Sequence, residues 1–117
     1  MNARYCMALD LKDDPALIAE YEQLHARIWP EITTHLRNAG VQDMQIYRLG
    51  TRLFMIMDVG ADFSVDAFEA AAAANPKVQE WETLMWQYQA PTPWTPEGRK
   101  WIPMQRIFAL AEQLAPA

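Results

Sequence analysis

Tyr5, Met7, Leu9 and Leu11 alternate with Cys6, Ala8 and Asp10, and a few residues later the apolar spacing changes from two to three and four. The first pattern is that of a strand with one face committed to a core. Asp13-Asp14-Pro15 then reads as a helix start, because a carboxylate can cap free amides and proline is tolerated in the first turn. At about 100° per residue, Leu17, Tyr21, Leu24, His25, Ile28 and Trp29 share one side of that helix. Glu20, Glu22, Gln23, Ala26 and Arg27 fall around the remainder, so the mainly apolar side packs on a sheet and carries Tyr21 and His25 into half-buried positions.

The rest of the chain continues the alternation of strand and helix. Pro30 removes an amide donor and kinks or restarts the helix, and a second segment runs to Gly40, a suitable C-terminal cap. Met44 to Leu49 and Arg52 to Val59 are strand-like runs joined around Gly50 into an antiparallel hairpin. From Ser64 to about Tyr88 the sequence is helical again, interrupted at Asn75-Pro76. Gln89 to Lys100 is a proline-rich loop carrying Trp94, and Met104 to Leu110 has the residues of a final strand. The order β-α-β-β-α-β is the ferredoxin-like arrangement, an α+β fold with one antiparallel sheet and its helices on one face. The other face needs a cover, which a second copy would supply. The expectation is a homodimeric α/β barrel, with the long loop before the last strand able to reach the partner.

The 117 residues leave room for one domain with a modest core, expected to span residues 1–117. Ten basic residues against fifteen acidic ones give a net charge of -5, and the basic residues are scattered, so no stripe exists to neutralise a phosphate backbone and nucleic acid is not expected as a partner. No apolar run approaches the roughly 20 residues of a membrane span, and no apolar signal core follows the N-terminus. No membrane association is expected, and the cytoplasm is the expected compartment. The single Cys6 has no internal disulfide partner, and neither metal-ligand spacing nor a phosphate-binding or nucleotide fingerprint occurs. The reading is a metal-free, cofactor-free reaction or simple binding.

Histidine is the side chain best suited to exchange protons at neutral pH. Of the two, His25 is the stronger candidate, since it shares a helix side with Tyr21 one turn earlier and Trp29 one turn later, whereas His35 lies past Pro30. Spacing alone also accommodates a hydrogen-bonded histidine and a tyrosine at the core edge. Trp29, Trp81, Trp86, Trp94 and Trp101 are more tryptophans than so small a core requires, and aromatic faces suit the aliphatic hydrogens of a pyranose. Core and dimer interface are the other uses of such rings. Glu20, Glu22 and Arg27 read as a solvated helix face, Met55 and Met57 as core fillers, and Cys6 as a quiet buried thiol. Glu31 and Glu82 differ from the other acids in sitting close after a tryptophan.

The stretch Glu20-Tyr21-Glu22-Gln23-Leu24-His25-Ala26-Arg27-Ile28-Trp29-Pro30-Glu31, with its Tyr-x-x-x-His followed by Ile-Trp-Pro-Glu, resembles the hallmark segment of the L-rhamnose mutarotase family. Ile46-Tyr47 with Leu53-Phe54 resembles the family's central hairpin, Val78-Gln79-Glu80-Trp81 its second-helix motif, and Met104-Gln105-Arg106-Ile107-Phe108 its closing strand. The resemblance implies a dimeric ferredoxin-like barrel, no cofactor, and a monosaccharide substrate whose α and β anomers are interconverted by acid/base ring opening. It implies His25 as the proton donor, Tyr21 as a sugar-binding tyrosine, and Trp81 as the first of two adjacent tryptophans at the sugar. Glu82 stands in place of the second tryptophan, and Met44 in place of a tyrosine that opens the second strand. The candidate sugar contacts are therefore Tyr21, Trp29, Met44, Tyr47, Trp81 and Glu82. The two departures leave both L-rhamnose and L-fucose, another 6-deoxy-L-hexose, as substrates. A cofactor-free monooxygenase on the same barrel, and a non-catalytic small-molecule-binding module, are the competing readings, because fold does not fix function.

Overall fold

The computed structural model describes residues 2–115. It consists of β1 (Ala3–Leu11), α1 (Pro15–Ala26), α2 (Pro30–Asn38), β2 (Val41–Leu49), β3 (Arg52–Val59), α3 (Val65–Ala74), α4 (Pro76–Met85), β4 (Gln89–Ala90) and β5 (Ile102–Pro103), followed by a 3-10 turn at Leu110–Glu112. The strands form one antiparallel sheet in the order β2-β3-β1-β4, with β5 also pairing with β1. This is the ferredoxin-like order that the alternation of elements implies.

Three of the four helices open on proline behind a fixed preceding residue. Asp14 accepts from the amides of Ala16 at 2.9 Å and Leu17 at 3.3 Å, so α1 starts where the Asp-Pro pair places it. Asn75 does the same for α4, accepting from Lys77 and Val78. Pro30 restarts the chain as a separate helix instead of kinking one long helix. The break leaves Trp29 at the corner between α1 and α2. In the hairpin, Leu49 pairs with Arg52 around Gly50-Thr51, and Gly50 has φ 59 while Thr51 does not enter the positive-φ region, the combination used by a type II′ turn.

Register divides the sheet cleanly into two faces. Tyr5, Met7 and Leu9 of β1 stand opposite Met57, Met55 and Leu53 of β3 and face the helices. Leu9, Leu53, Val59 and Met85 are almost wholly removed from solvent. One cluster gathers Leu11, Tyr21, Ile32, Leu53, Val78, Trp81, Met85 and Tyr88, and a second gathers Val41, Met55, Met57 and Val59, with Ile46 and Trp101 packed against both. The opposite face carries Cys6, Ala8, Phe54 and Ile56, flanked by cross-strand ion pairs of Arg4 with Asp58 at 2.7 Å and Arg52 with Asp10 at 2.8 Å. No helix covers that face among the described residues.

The C-terminal region departs from the sequence expectation in two places. Gln89 and Ala90, expected in a loop, pair with Leu11 and Asp10, and α4 stops at Met85 rather than near Tyr88. Met104 to Leu110, expected as the last strand, is not a strand; the pairing is confined to Ile102–Pro103, followed by one bond from the Met104 amide to the Cys6 carbonyl at 2.8 Å. The physical reason is geometric. With Pro103 opposite Met7, an antiparallel continuation would bring Ile107 opposite Ala3, the first residue of β1, so the residues after Ile107 have no template; the bond from Met104 is the last to β1. The segment projects, leaving Met104, Ile107, Phe108 and Leu110 exposed and stretching the protein to 54 × 32 × 28 Å. No helix among the described residues is long and apolar enough to cross a membrane.

Candidate active site

The predicted side of α1 faces the sheet as far as His25, while Ile28 and Trp29, expected on the same helix, lie in the connection to α2 because α1 ends at Ala26. Tyr21 is buried and its ring lies 4.2 Å from that of His25. The His25 ring meets Trp81 of α4 edge-on at 5.5 Å, and Trp81 meets Trp29 edge-on at 5.0 Å. Such tilted contacts suit aromatic quadrupoles and hold each ring in one orientation. Val78, Trp81 and Met85 are the buried stripe of α4, so Trp81 is placed by the same three- and four-residue spacing that buries the helix.

The His25 tautomer follows from its neighbours. Nδ1 lies 2.9 Å from the Tyr21 carbonyl oxygen, which can only accept, so Nδ1 carries the hydrogen and donates. Nε2 is then the free nitrogen, with a lone pair when the ring is neutral. Burial pulls the His25 pKa below its usual 6.5, partly opposed by the bond to Tyr21. The imidazole is therefore predominantly neutral at pH 7 and accepts a proton before it gives one. Burial pushes the Tyr21 phenol up to about 12, with a bond from Gln89 acting against it and the charge of Glu82 adding to it, so Tyr21 keeps its proton. Because the unfolded chain holds a proton on His25 more tightly than the folded protein, stability is fully present above pH 6.5 and declines as the pH falls below it. Proton NMR of the histidine ring should show a midpoint below 6.5, and urea titrations should show stability falling on the acid side of that value.

Tyr21 and His25 open onto a pocket of about 290 Å³ that is also lined by Glu22, Ile46, Arg48 and Leu53. Its size lies near the lower end of the range for small-molecule sites and suits a monosaccharide. Arg48 of β2 donates to Glu22 of α1 across the rim, and also to the Gly50 carbonyl at 2.9 Å. A larger concavity of about 750 Å³ lies between α2 and α3, beside His35, Phe68 and Lys77. It contains none of the candidate sugar contacts, and its histidine is stacked on Phe68 with ring centroids 5.3 Å apart. The smaller pocket is the one lined by Tyr21 and His25, with Trp81 behind the His25 ring and outside the lining.

The remaining candidates divide. Glu82 follows Trp81 on α4, and its Oε2 receives a bond from Lys100 Nζ at 2.7 Å, while the same ammonium donates to the Glu82 carbonyl at 2.8 Å and lies 4.5 Å from the Trp86 ring. Its carboxylate is held rather than free. Met44 faces the helices but packs with the second cluster, opposite Met57. Tyr47 stands opposite Phe54 and so projects from the other sheet face, where it is half exposed and donates to Gln45 at 2.8 Å. The structure thus gathers Tyr21, His25, Trp29 and Trp81, and sets Met44 and Tyr47 apart from them.

Four contributors escaped the sequence reading. By sequence Glu22 reads as part of a solvated face, and Arg48, Lys100 and Gln89 carry no distinguishing pattern. Each acquires its role through a partner 18 to 68 positions away.

Known proteins resemble this chain over most of its length. An L-fucose mutarotase of Xanthomonas campestris is 45% identical over 114 residues, covering 96% of this chain and 91% of that protein. An L-rhamnose mutarotase of Phocaeicola vulgatus is 38% identical over 79 residues, covering 65% of this chain and 67% of its own. The crystal structure of an L-rhamnose mutarotase from Formosa agariphila superposes with a TM-score of 0.67, covering 92% of this chain and 98% of that one; at 21% identity the likeness is one of fold. The family model described as L-rhamnose mutarotase matches residues 4–110, a span that reaches all five strands and the whole aromatic cluster, and the chain belongs to that family of carbohydrate isomerases.

Proposed function

We propose that the protein interconverts the α and β anomers of L-fucose, with His25 as the group that moves the proton. The observation that carries this reading is the free Nε2 of His25 at a monosaccharide-sized pocket, in a ring oriented by Tyr21 and Trp81. Mutarotation removes the O1 proton and protonates the ring oxygen, so that the bond from C1 to O5 opens to an aldehyde that rotates and recloses. Both oxygens are bonded to C1, so one nitrogen can reach both. Neutral His25 takes the proton from O1 and, as imidazolium, donates it to O5; reclosure on the other face reverses the transfers. Tyr21 hydrogen-bonds the sugar, and the Trp81 face packs against its C–H surface. Activity should therefore share the acid limb of the His25 titration, falling as the pH drops below 6.5.

L-fucose is favoured over L-rhamnose by the 45% identical relative and by Glu82. The two sugars differ in hydroxyl stereochemistry at C2 and C4, and a carboxylate held by Lys100 through one oxygen keeps the other as an acceptor for a hydroxyl, where a tryptophan offers a flat wall. Saturation-transfer NMR on a panel of 6-deoxyhexoses tests this. Anomer exchange should be accelerated at least about tenfold more for L-fucose than for L-rhamnose. The reverse order would reassign the sugar, and saturable binding without accelerated exchange would leave a binding module instead of an enzyme.

The working form is a homodimer, with cytoplasm as its compartment, where the free thiol of Cys6 stays reduced. Support comes from the uncovered sheet face with Phe54 and Ile56, and from the projecting apolar residues Met104, Ile107 and Phe108. Light scattering should give twice the 13.5 kDa protomer mass, and truncation after Pro103 should abolish the dimer.

A further inference from the structure

Gln89 is the one described residue with a buried side-chain polar atom that finds no partner. The side chain is 95% removed from solvent, Nε2 lies 3.4 Å from the Tyr21 hydroxyl, and Oε1 makes no hydrogen bond. It reaches Tyr21 because β4 pairs Gln89 with Leu11, whose side chain belongs to the same helix-facing cluster as Tyr21. A polar side chain stranded in this way costs stability, and where one is kept it calls for a reason.

The two orientations of the amide have different consequences. With Nε2 toward Tyr21, one N–H donates to the phenol oxygen, and the carbonyl and the second N–H are left without partners. With the amide reversed, the phenol O–H would satisfy Oε1, but both N–H groups would be stranded. Buried orphan N–H groups are rarer than under-satisfied carbonyls, so the first orientation wins. The phenol oxygen then accepts from Gln89, and its own hydrogen has no acceptor among the described residues, while Tyr21 lines the pocket.

We infer that Gln89 is a positioning residue that aims the Tyr21 phenolic hydrogen into the pocket, making Tyr21 a donor to an oxygen of the bound pyranose. This rests on the mutarotase reading for its sugar, but not for its logic: Gln89 acts on binding and exchange only through Tyr21. The 3.4 Å contact is long for such a bond, and contacts of this kind commonly tighten only in the bound complex.

A double-mutant cycle tests it, with L-fucose affinity and anomer exchange both read. Gln89→Leu should weaken L-fucose binding and kcat/KM by about tenfold in the native background, and by less than twofold when Tyr21 is already Phe. Thermal stability of Gln89→Leu should be unchanged or raised, since the stranded carbonyl is gone. Gln89→Met, of closer length, serves if the leucine variant does not fold. Gln89→Glu, whose carboxylate accepts the phenol hydrogen and turns Tyr21 around, should be at least as impaired. Equal losses in both Tyr21 backgrounds, or no loss in either, would overturn the role. If the native protein binds L-fucose without accelerating exchange, the affinity arm still decides for Gln89 while the enzymatic reading falls alone; failure to bind any 6-deoxyhexose removes both.

Discussion

His25→Ala is expected to lower catalysed L-fucose anomer exchange by roughly 10²- to 10⁴-fold, the usual contribution of a positioned proton-transfer group, leaving little beyond the spontaneous rate in buffer. The argument rests on three features. Nδ1 is committed to the Tyr21 carbonyl, which leaves Nε2 free in a ring that lines the pocket; burial keeps the ring neutral and able to accept at pH 7; and O1 and O5 lie within reach of a single nitrogen. The histidine bond lies within α1 and ties no other element, so the variant should remain folded with a near-native circular dichroism spectrum. His25→Gln provides the stricter comparison, because an amide can keep the bond to Tyr21 but cannot shuttle a proton. Exchange rates measured by NMR at pH 7 decide the matter: a variant of either kind that retains half of the native acceleration would remove His25 from the chemistry.

Trp81→Ala should have the largest effect on stability, about 3–5 kcal/mol, against about 5–15 kcal/mol for a domain of this kind. Trp81 is 95% buried and braces Trp29 and His25 at the centre of the larger cluster. Its removal leaves a cavity beneath three elements, which small neighbours such as Val78 cannot fill. Urea unfolding should show a much lower midpoint, with part of the population unfolded before denaturant is added. Trp81→Phe should cost less, since a ring remains between Trp29 and His25, yet sugar affinity should still fall because the wall is smaller. A Trp81→Ala protein with native stability would mean that the cluster packs around the gap and that the ring serves only the sugar.

Much of the site was legible because its central residues lie on periodic elements. Tyr21 and His25 are one turn apart on α1, Trp29 keeps the same four-residue spacing at the corner beyond it, and Trp81 belongs to the buried stripe of α4, so spacing and resemblance together indicate all four. Tyr47 was placed in the site by resemblance of its hairpin, yet strand alternation sends it to the opposite face: Phe54, its register partner, alternates with core-facing Leu53. Gln89 and Lys100 sit in a stretch with no period to read, and their roles come from partners 68 and 18 residues away.

The fold shows the same division. Alternation in β1 and β3, the Asp-Pro and Asn-Pro helix starts, and Gly50 at the hairpin act through neighbours in the chain, and so the sequence by itself determined the order of elements, which face of each is apolar, and the presence of a histidine beside a tyrosine. Pairing partners and register are properties of distant segments meeting. Tertiary structure alone decided that Gln89–Ala90 joins the sheet, that Met104 to Leu110 overruns the end of β1, and that Lys100 holds Glu82. Local propensity cannot report where a template strand ends or which buried amide finds no partner, because both depend on packing between residues the chain keeps far apart.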